Sequence, residues 1–584
     1  MSSDKYAVRK FESSGNLALK NALPPDPSIL EYSENWTEDQ KTVYECYLTA
    51  GKTTNAPMNE GARLYAEATG SRINVGNYSK KVRRLQWKSI KNGWTPVEEA
   101  KDLKVDEVTI EKNKKKIENK LSNKVSTFVI TYAQNATPVH SGFLASLENY
   151  CKHRKALLTV VAGRYKNPTS VWTEVQKSSE YWAPEVAKYL VDFRYDLNDN
   201  LTVLGDAKIQ PTNSNPTAGA GGITQDKSCI IGHPKIDLVS VATPQNKWPK
   251  LITTTGAITQ KNYTDSWTGK KAEFHHSIGA TVVEVQGEYF HMRQIAACKD
   301  GSFIDLDYEY TPTGYHKAPR ALGLVLGDIH VRHADPDCEE ALFGKGGMVD
   351  FFNPEKVILH DWYDGYSGSH HHRNNFFIEL AKRRHGFNDV KAEVIYTFEK
   401  TAEWMKNRND IEWHIVDSNH NQHLVRWIQE TDPRKDLDNL SFWSEIVSLM
   451  EPDVIMGKSG AEVPNPLQVL AEKYMPHKNL YFNTRGERVF LGDIDCTNHG
   501  HQGVNGARGS IKAFSDIGVK CITGHGHAPG IKGGHYRVGT NSRLDLEYTG
   551  DLSSWLHTDC VVYANGKRSL IHKFNGQWKA SRRK

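Results

Sequence analysis

Five short apolar runs in the second half of the chain each end in residues that bind metals. Residues 322–326 run into Gly327-Asp328-Ile329-His330, and 357–359 run into His360-Asp361. Residues 411–416 lead to Asp417-Ser418-Asn419-His420. Residues 489–491 lead through a short loop to Asn498-His499-Gly500-His501, and 519–523 lead to Gly524-His525-Gly526-His527. Apolar runs this short, bounded by glycine and polar residues, predict buried strands. Upstream, 126–131, 157–161 and 201–204 have strand composition, and 141–153 has helical spacing. Near the N-terminus Thr37 and Gln40 form a capping-box pattern ahead of Val43, Tyr44, Tyr47 and Leu48. A second helix carries Ala62, Leu64, Tyr65 and Ala68 and stops at Gly70. A third starts near Asn77, with Val82 and Leu85 inward and Lys80, Lys81, Arg83 and Arg84 outward. Three short helices, the last one basic, predict a helix-turn-helix-like unit.

These elements divide the chain into a polar arm (1–35), a small helical domain (36–95), a charged linker (96–125), an α/β accessory domain (126–315) and a C-terminal domain (316–584). The whole is expected to be α/β. A length of 584 residues calls for several cores. No apolar run is long enough for a membrane helix, and 1–20 lacks an apolar signal core, so no membrane partner is expected. The eight cysteines are scattered without a CxxC pair. That predicts a reducing compartment and argues against structural zinc. Net charge is only +5, yet 78–124 alone carries more basic excess than that, leaving the remainder slightly acidic. A basic segment on a nearly neutral chain points to a polyanionic partner, or to a plain solvated helix.

The strand ends carry the chemistry. In layered α/β folds ligands gather beyond the carboxyl ends of strands. Five such ends facing one cleft supply carboxylates, an amide oxygen and imidazoles. Mixed oxygen and nitrogen donors without thiolate suit manganese, iron or zinc. Two cations held close together need a ligand that touches both, and Asp361 is the bridging candidate. With 25 histidines in the chain single clusters arise by chance, but an ordered set of five on strand ends does not.

Asp328-x-His330, Asp361, Asn419-His420, a histidine near 499 and Gly524-His525-x-His527 together resemble the calcineurin-like metallophosphoesterase signature, over about residues 320–584. The resemblance implies a four-layer α/β/β/α sandwich for 316–584 and two divalent metals of manganese type. One metal would take Asp328, His330, Asp361 and His527. The other would take Asp361, Asn419, His499 and His525. His420 would be the catalytic acid. Three departures stand out: His360 replaces the usual glycine before the bridging aspartate, Ser418 replaces the glycine before Asn-His, and His501 is the alternative ligand to His499. The chain as a whole is similar to phage-encoded members of that superfamily that degrade host DNA early in infection. That implies a DNase in the infected bacterial cytoplasm, with DNA as partner, self-association into a homo-oligomer and a phage-encoded partner protein. The same centre would also serve a phosphatase or nucleotide phosphodiesterase, or a DNA-binding host-takeover protein with a non-catalytic metal centre.

Other residues are expected near the substrate. His371, His372 and Arg373 follow Asp361 closely and form either a phosphate clamp or a polar turn. Gly503 to Ser510 is a glycine-rich turn into a helix, offering Arg508 to a phosphate or only a tight loop. Asp335, Asp337 and Asp364 read as supporting groups or surface charges. Arg164, Lys166, Lys208 and Lys271 read as surface charge or, alternatively, as phosphate contacts, and 126–315 carries no catalytic signature.

Overall fold

The computed structural model describes residues 37–53, 57–71, 73–79, 81–82, 107–165, 182–245, 247–457, 463–484, 486–546 and 549–580. It is a mixed α/β protein organised by three main sheets. The six-stranded sheet runs in the order Leu480–Asn483, Glu412–Val416, Lys356–Leu359, Gly323–Val325, Thr558–Val562, Arg568–His572. The first four strands are parallel neighbours and the last two are antiparallel additions. Three of the five ligand-bearing runs therefore end on one edge. Alternate residues face opposite sides of a strand. Leu324, Val357, Leu359, Ile415 and Val561 join a core with the helical residues Phe398, Trp404 and Leu470. Val325, Ile358, Val416, Cys560 and Val562 join a second core on the other side. Burial on both faces is why these runs are continuously apolar rather than alternating.

The second core is closed by a ten-stranded sheet. Its strands Cys521–Thr523, His535–Arg537 and Gly530–Lys532 continue directly into Asp237–Val241, Lys250–Thr254, Ser228–Ile231, Leu201–Leu204 and Arg194–Asn198. The junction is antiparallel, with Ile531 opposite Leu238. The outer face is covered near Leu204, Cys229 and Ile252 by Ala220 of the short helix Ala220–Thr224. Helix Ile511–Asp516 lies over Gly530, where a side chain would meet Ile511. Phe128, Ile130, Val283 and Val285 of a five-stranded sheet share the same core.

The expected sandwich is thus seen as a helical layer and two sheets, with short helices outside. The expected boundary at 315/316 is crossed by sheet hydrogen bonds, because half of the larger sheet comes from 194–254. An apolar pattern reveals that a segment is a strand but not which strand it pairs with. Within 126–315, the two strands and the helix that composition predicts form as Ser126–Gln134, Leu157–Gly163 and Ser141–Arg154, and the strands pair in parallel through that helix.

At the N-terminal end, helices Glu38–Thr53 and Pro57–Thr69 and the helical residues 75–79 and 81–82 pack around Tyr47, Tyr65, Tyr78 and Val82. The capping box forms: the Thr37 N–H donates to Gln40 Oε1 (3.0 Å) and the Gln40 N–H to Thr37 Oγ1 (3.3 Å). Lys81 does not point free into solvent. It pairs with Asp39 at 2.7 Å and lies over the Tyr65 ring. Lys80, Arg83, Arg84 and Leu85 lie outside the described residues, as do Lys166 and residues 1–36. The charged linker is not wholly a linker. Its helix Glu107–Leu121 buries Ile117, and Asn113 Nδ2 donates to the Leu190 carbonyl at 2.8 Å. Lys208 and Lys271 are exposed, and Arg164 pairs with Asp192 at 3.1 Å. All eight cysteines are free thiols. No helix among the described residues is long and apolar enough to cross a membrane.

The shared sheet makes a direct prediction. Residues 316–584 expressed alone would bare the Gly530–Lys532 edge and the apolar faces of Ile531 and Ile522, and should not unfold cooperatively. Thermal melting followed by circular dichroism checks this; a sharp transition at the temperature of the full chain would show that the C-terminal part folds by itself.

Candidate metal centre

Backbone hydrogen bonds carry the strand ends past the last regular pair. The Leu326 N–H donates to the Ile358 carbonyl (3.0 Å), Ile329 to His360 (3.0 Å) and His330 to Asp361 (2.7 Å). Four residues in these turns, His330, Asp361, His525 and His527, hold φ between 41° and 66°. Left-handed backbone at non-glycine residues costs on the order of 1–3 kcal/mol each and clusters at functional sites. Here it turns each side chain away from its strand line and into a common centre. Gly524 must be glycine, since a Cβ there would overlap Asp328 Oδ1 and crowd His360.

Three overlapping groups of side chains meet at that centre, the third being His330, Asp364 and His420, which shares His330 with the first. Asp328, His330, Asp361 and His527, all buried, form one group close enough to share a metal ion. Asp361, His499 and His525 form another. Asp361 belongs to both. His527 Nε2 is 3.0 Å from Asp328 Oδ2, His499 Nε2 is 3.0 Å from Asp361 Oδ2, and His330 Nε2 is 3.2 Å from His527 Nε2. Asp328 Oδ1 and Oδ2, Asp361 Oδ1 and Asn419 Oδ1 are buried without a hydrogen-bond partner. Buried carboxylate oxygens left bare are costly, and so many converging acceptors fit bound cations.

Electrostatics follow the same geometry. Burial opposes ionisation of Asp361, yet the imidazoles of His499 and His420 hold its carboxyl well below the usual carboxylate range. Asp328 is also lowered, burial being outweighed by His499 and His527. His499 is raised in return: its burial is outweighed by Asp361 and Asp328. Burial pushes His525 down to about 4, which keeps its ring neutral, the form that ligates.

Asp364 supports two imidazoles at once. Its Oδ1 accepts from His330 Nδ1 at 2.9 Å, which turns the His330 Nε2 lone pair toward Asp361 and His527. The same Oδ1 is 3.5 Å from His420 Nδ1, which donates to the Asp364 carbonyl at 2.9 Å. Burial disfavours the His420 imidazolium, but the Asp361 and Asp364 carboxylates outweigh it and push the group up to about 10. His360 lies behind the centre with its Nδ1 3.3 Å from His499 Nδ1. The Asp328 segment is clamped from below. Thr540 Oγ1 donates to the Asp328 carbonyl (2.9 Å), and the Gly327 N–H donates to Asp559 Oδ1 (2.9 Å). Fully buried Lys573 joins Asp559 to Asn541.

The structure brings Asp328, His330, Asp361, His499, His525 and His527 together, with Asn419 and His420 on the wall of the adjoining cavity. Of the His499/His501 alternative, His499 is wholly buried among the potential ligands, while the His501 ring lies 5.6 Å from it and joins none of the groups. His371, His372 and Arg508 line the cavity. Arg373 does not, because its guanidinium is drawn to Glu430 (3.3 Å) and Thr431. Asp335 caps helix Pro336–Phe343. Thr540, Asn541, Asp559 and Lys573 were not picked out from the sequence, as nothing in their spacing ties them to Asp328.

A buried Asp/His centre at the carboxyl ends of a parallel sheet defines the class: an α/β protein able to hold metal ions. The chain is 31% identical over 469 residues to "Protein A1" of Escherichia phage T5, covering 77% of this chain and 82% of that protein. It belongs to the family of that phage protein. No protein-family profile and no solved structure matches the chain.

Two outcomes check the centre. Manganese added to EDTA-stripped protein should raise the melting temperature, since a ligand at about 100 times its Kd adds about 2.7 kcal/mol. Asp361→Asn should abolish the rise. Lys573→Met should lower stability by about 3–5 kcal/mol in urea denaturation, because it leaves Asp559 buried and unpaired. An unchanged midpoint would show that the clamp under Asp328 is dispensable.

Proposed function

We propose that the chain is a two-metal phosphodiesterase of manganese type that cuts DNA, acting in the cytoplasm of an infected bacterium. The observation that carries the reading is Asp361, one carboxylate common to two groups of potential ligands. Divalent cations held there would supply Lewis-acid stabilisation of the charge that develops on the phosphoryl oxygens during in-line displacement. The chain's own groups do the rest. Asp328, His330, Asp361 and His527 would hold one ion, and Asp361, Asn419, His499 and His525 the other. Asp364 fixes the His330 tautomer, so that Nε2 rather than Nδ1 faces the centre. His420 is anchored through Nδ1, which leaves Nε2 as the proton donor to the leaving oxygen. Arg508 at the cavity mouth offers a charge to a neighbouring phosphate. Kinship with a phage protein supports the setting, and the basic segment 78–124 supports a nucleic-acid partner.

His420→Ala should keep its metals, measured by mass spectrometry, while plasmid cleavage in manganese falls about 10² to 10⁴-fold. Loss of metal in step with activity would make His420 a ligand instead. Wild-type protein that hydrolyses p-nitrophenyl phosphate but leaves plasmid intact would point to a phosphatase. Inactivity on both, with metal bound, would leave a binding protein with a structural metal.

A further inference from the structure

We infer that the cavity over the centre receives an unpaired nucleotide, so that the substrate strand is single-stranded or frayed where it is cut. This inference rests on the nuclease reading above and adds the form of the nucleic acid. Depth is the first argument. Asp361, 1% exposed, and buried His527 line the cavity, with half-buried Asn419 and His525 on its wall, so the centre is reached through a recess. The recess holds about 960 Å³, at the upper end of what encloses one small-molecule ligand. An intact duplex keeps its bases stacked inward and is too stiff to press a phosphodiester into such a recess. A strand whose base has left the stack can do so.

The walls supply the second argument. Trp555 stands edge-to-face against His527, with ring centroids 4.1 Å apart, so an indole borders the candidate ligands. Tyr366 lies on the same cavity, and the Arg332 guanidinium is stacked over Phe387 at 4.1 Å. Arg508 and Arg543 line the mouth, are exposed, and have no carboxylate partner among the described residues. The carboxylates in the lining, Asp361 and Asp364, are already faced by imidazoles. Aromatic rings interleaved with uncommitted guanidinium groups are the combination that binds single strands: bases stack on the rings, and the backbone follows the charge.

The test is binding of a fluorescein-labelled 12-mer with phosphorothioate linkages, single-stranded or as a blunt duplex of the same sequence, to manganese-loaded full-length protein by fluorescence anisotropy. The single strand should bind about tenfold or more tightly than the duplex. Trp555→Ala should lose about tenfold in single-strand affinity, and Trp555→Phe should recover most of it. Arg543→Gln, an exposed change that spares the core, should weaken single-strand binding and reduce the salt slope by about one. Equal affinity for the two forms, or wild-type single-strand affinity in both Trp555→Ala and Arg543→Gln, would overturn the inference while leaving the nuclease reading intact. Failure to bind either form, with plasmid uncut and bis(p-nitrophenyl) phosphate still hydrolysed, would overturn both.

Discussion

Two carboxylates, Asp328 and Asp361, are buried together where neither can be hydrated, and the cost of keeping both ionised there is the constraint around which the molecule is arranged. Burial does most to raise the proton affinity of each, and Asp361 adds a smaller like-charge push on Asp328. What keeps both ionised is a ring of imidazoles: His499 touches both, His527 approaches Asp328, and His330 and His420 approach Asp361. Several carboxylate oxygens still lack partners. A buried site with so many bare oxygen acceptors could hold cations.

Holding that arrangement costs conformational energy. The left-handed backbone at His330, Asp361, His525 and His527 is tolerated because the strands behind it are fixed on both faces by apolar cores. The clamp of Thr540, Asn541, Asp559 and Lys573 does for the Asp328 segment what a single strand end could not. Lys573 comes from near the C-terminus and Asp328 from the middle of the chain, so the clamp forms only when the antiparallel strands Thr558–Val562 and Arg568–His572 have docked.

How much of this was legible in the sequence depends on distance along the chain. Asp328, His330, Asp361 and Asn419 were legible because each interrupts or follows an apolar run, a break that a purely structural strand has no reason to make. His499 is preferred to His501 because it comes first after the strand, but His501 stays open as the alternative, since two histidines flanking one glycine look alike in sequence. Arg373 was attractive by its nearness to Asp361, but Glu430, which takes it, is remote in sequence. Lys573 and Asp559 were invisible for the same reason. The boundary at 315/316 followed from composition, and composition cannot report that Gly530–Lys532 finds its neighbour in Asp237–Val241.

That pairing gives 126–315 a structural role despite its lack of catalytic signature. The six-stranded sheet delivers Asp328, His330, Asp361, Asn419 and His420. The ten-stranded sheet delivers His525 and His527 from Cys521–Thr523, and His499 follows its strand Ile494–Asp495. The centre therefore spans two sheets, and its distances are only as fixed as the packing between them. Alone, the strands from 490–537 would form a short sheet with little apolar area. Extended by 194–254, they gain Leu201, Val203, Ile230, Leu238 and Leu251, which share one core with Val325, Ile358 and Val416 at the roots of the ligand turns. Apolar burial on the accessory side is thereby coupled to the spacing between Asp361 and His499. A cavity opened at Leu238 or Ile230 would be felt at the candidate ligands through rigid, close-packed neighbours, even though no described residue of 194–254 belongs to the groups of potential ligands.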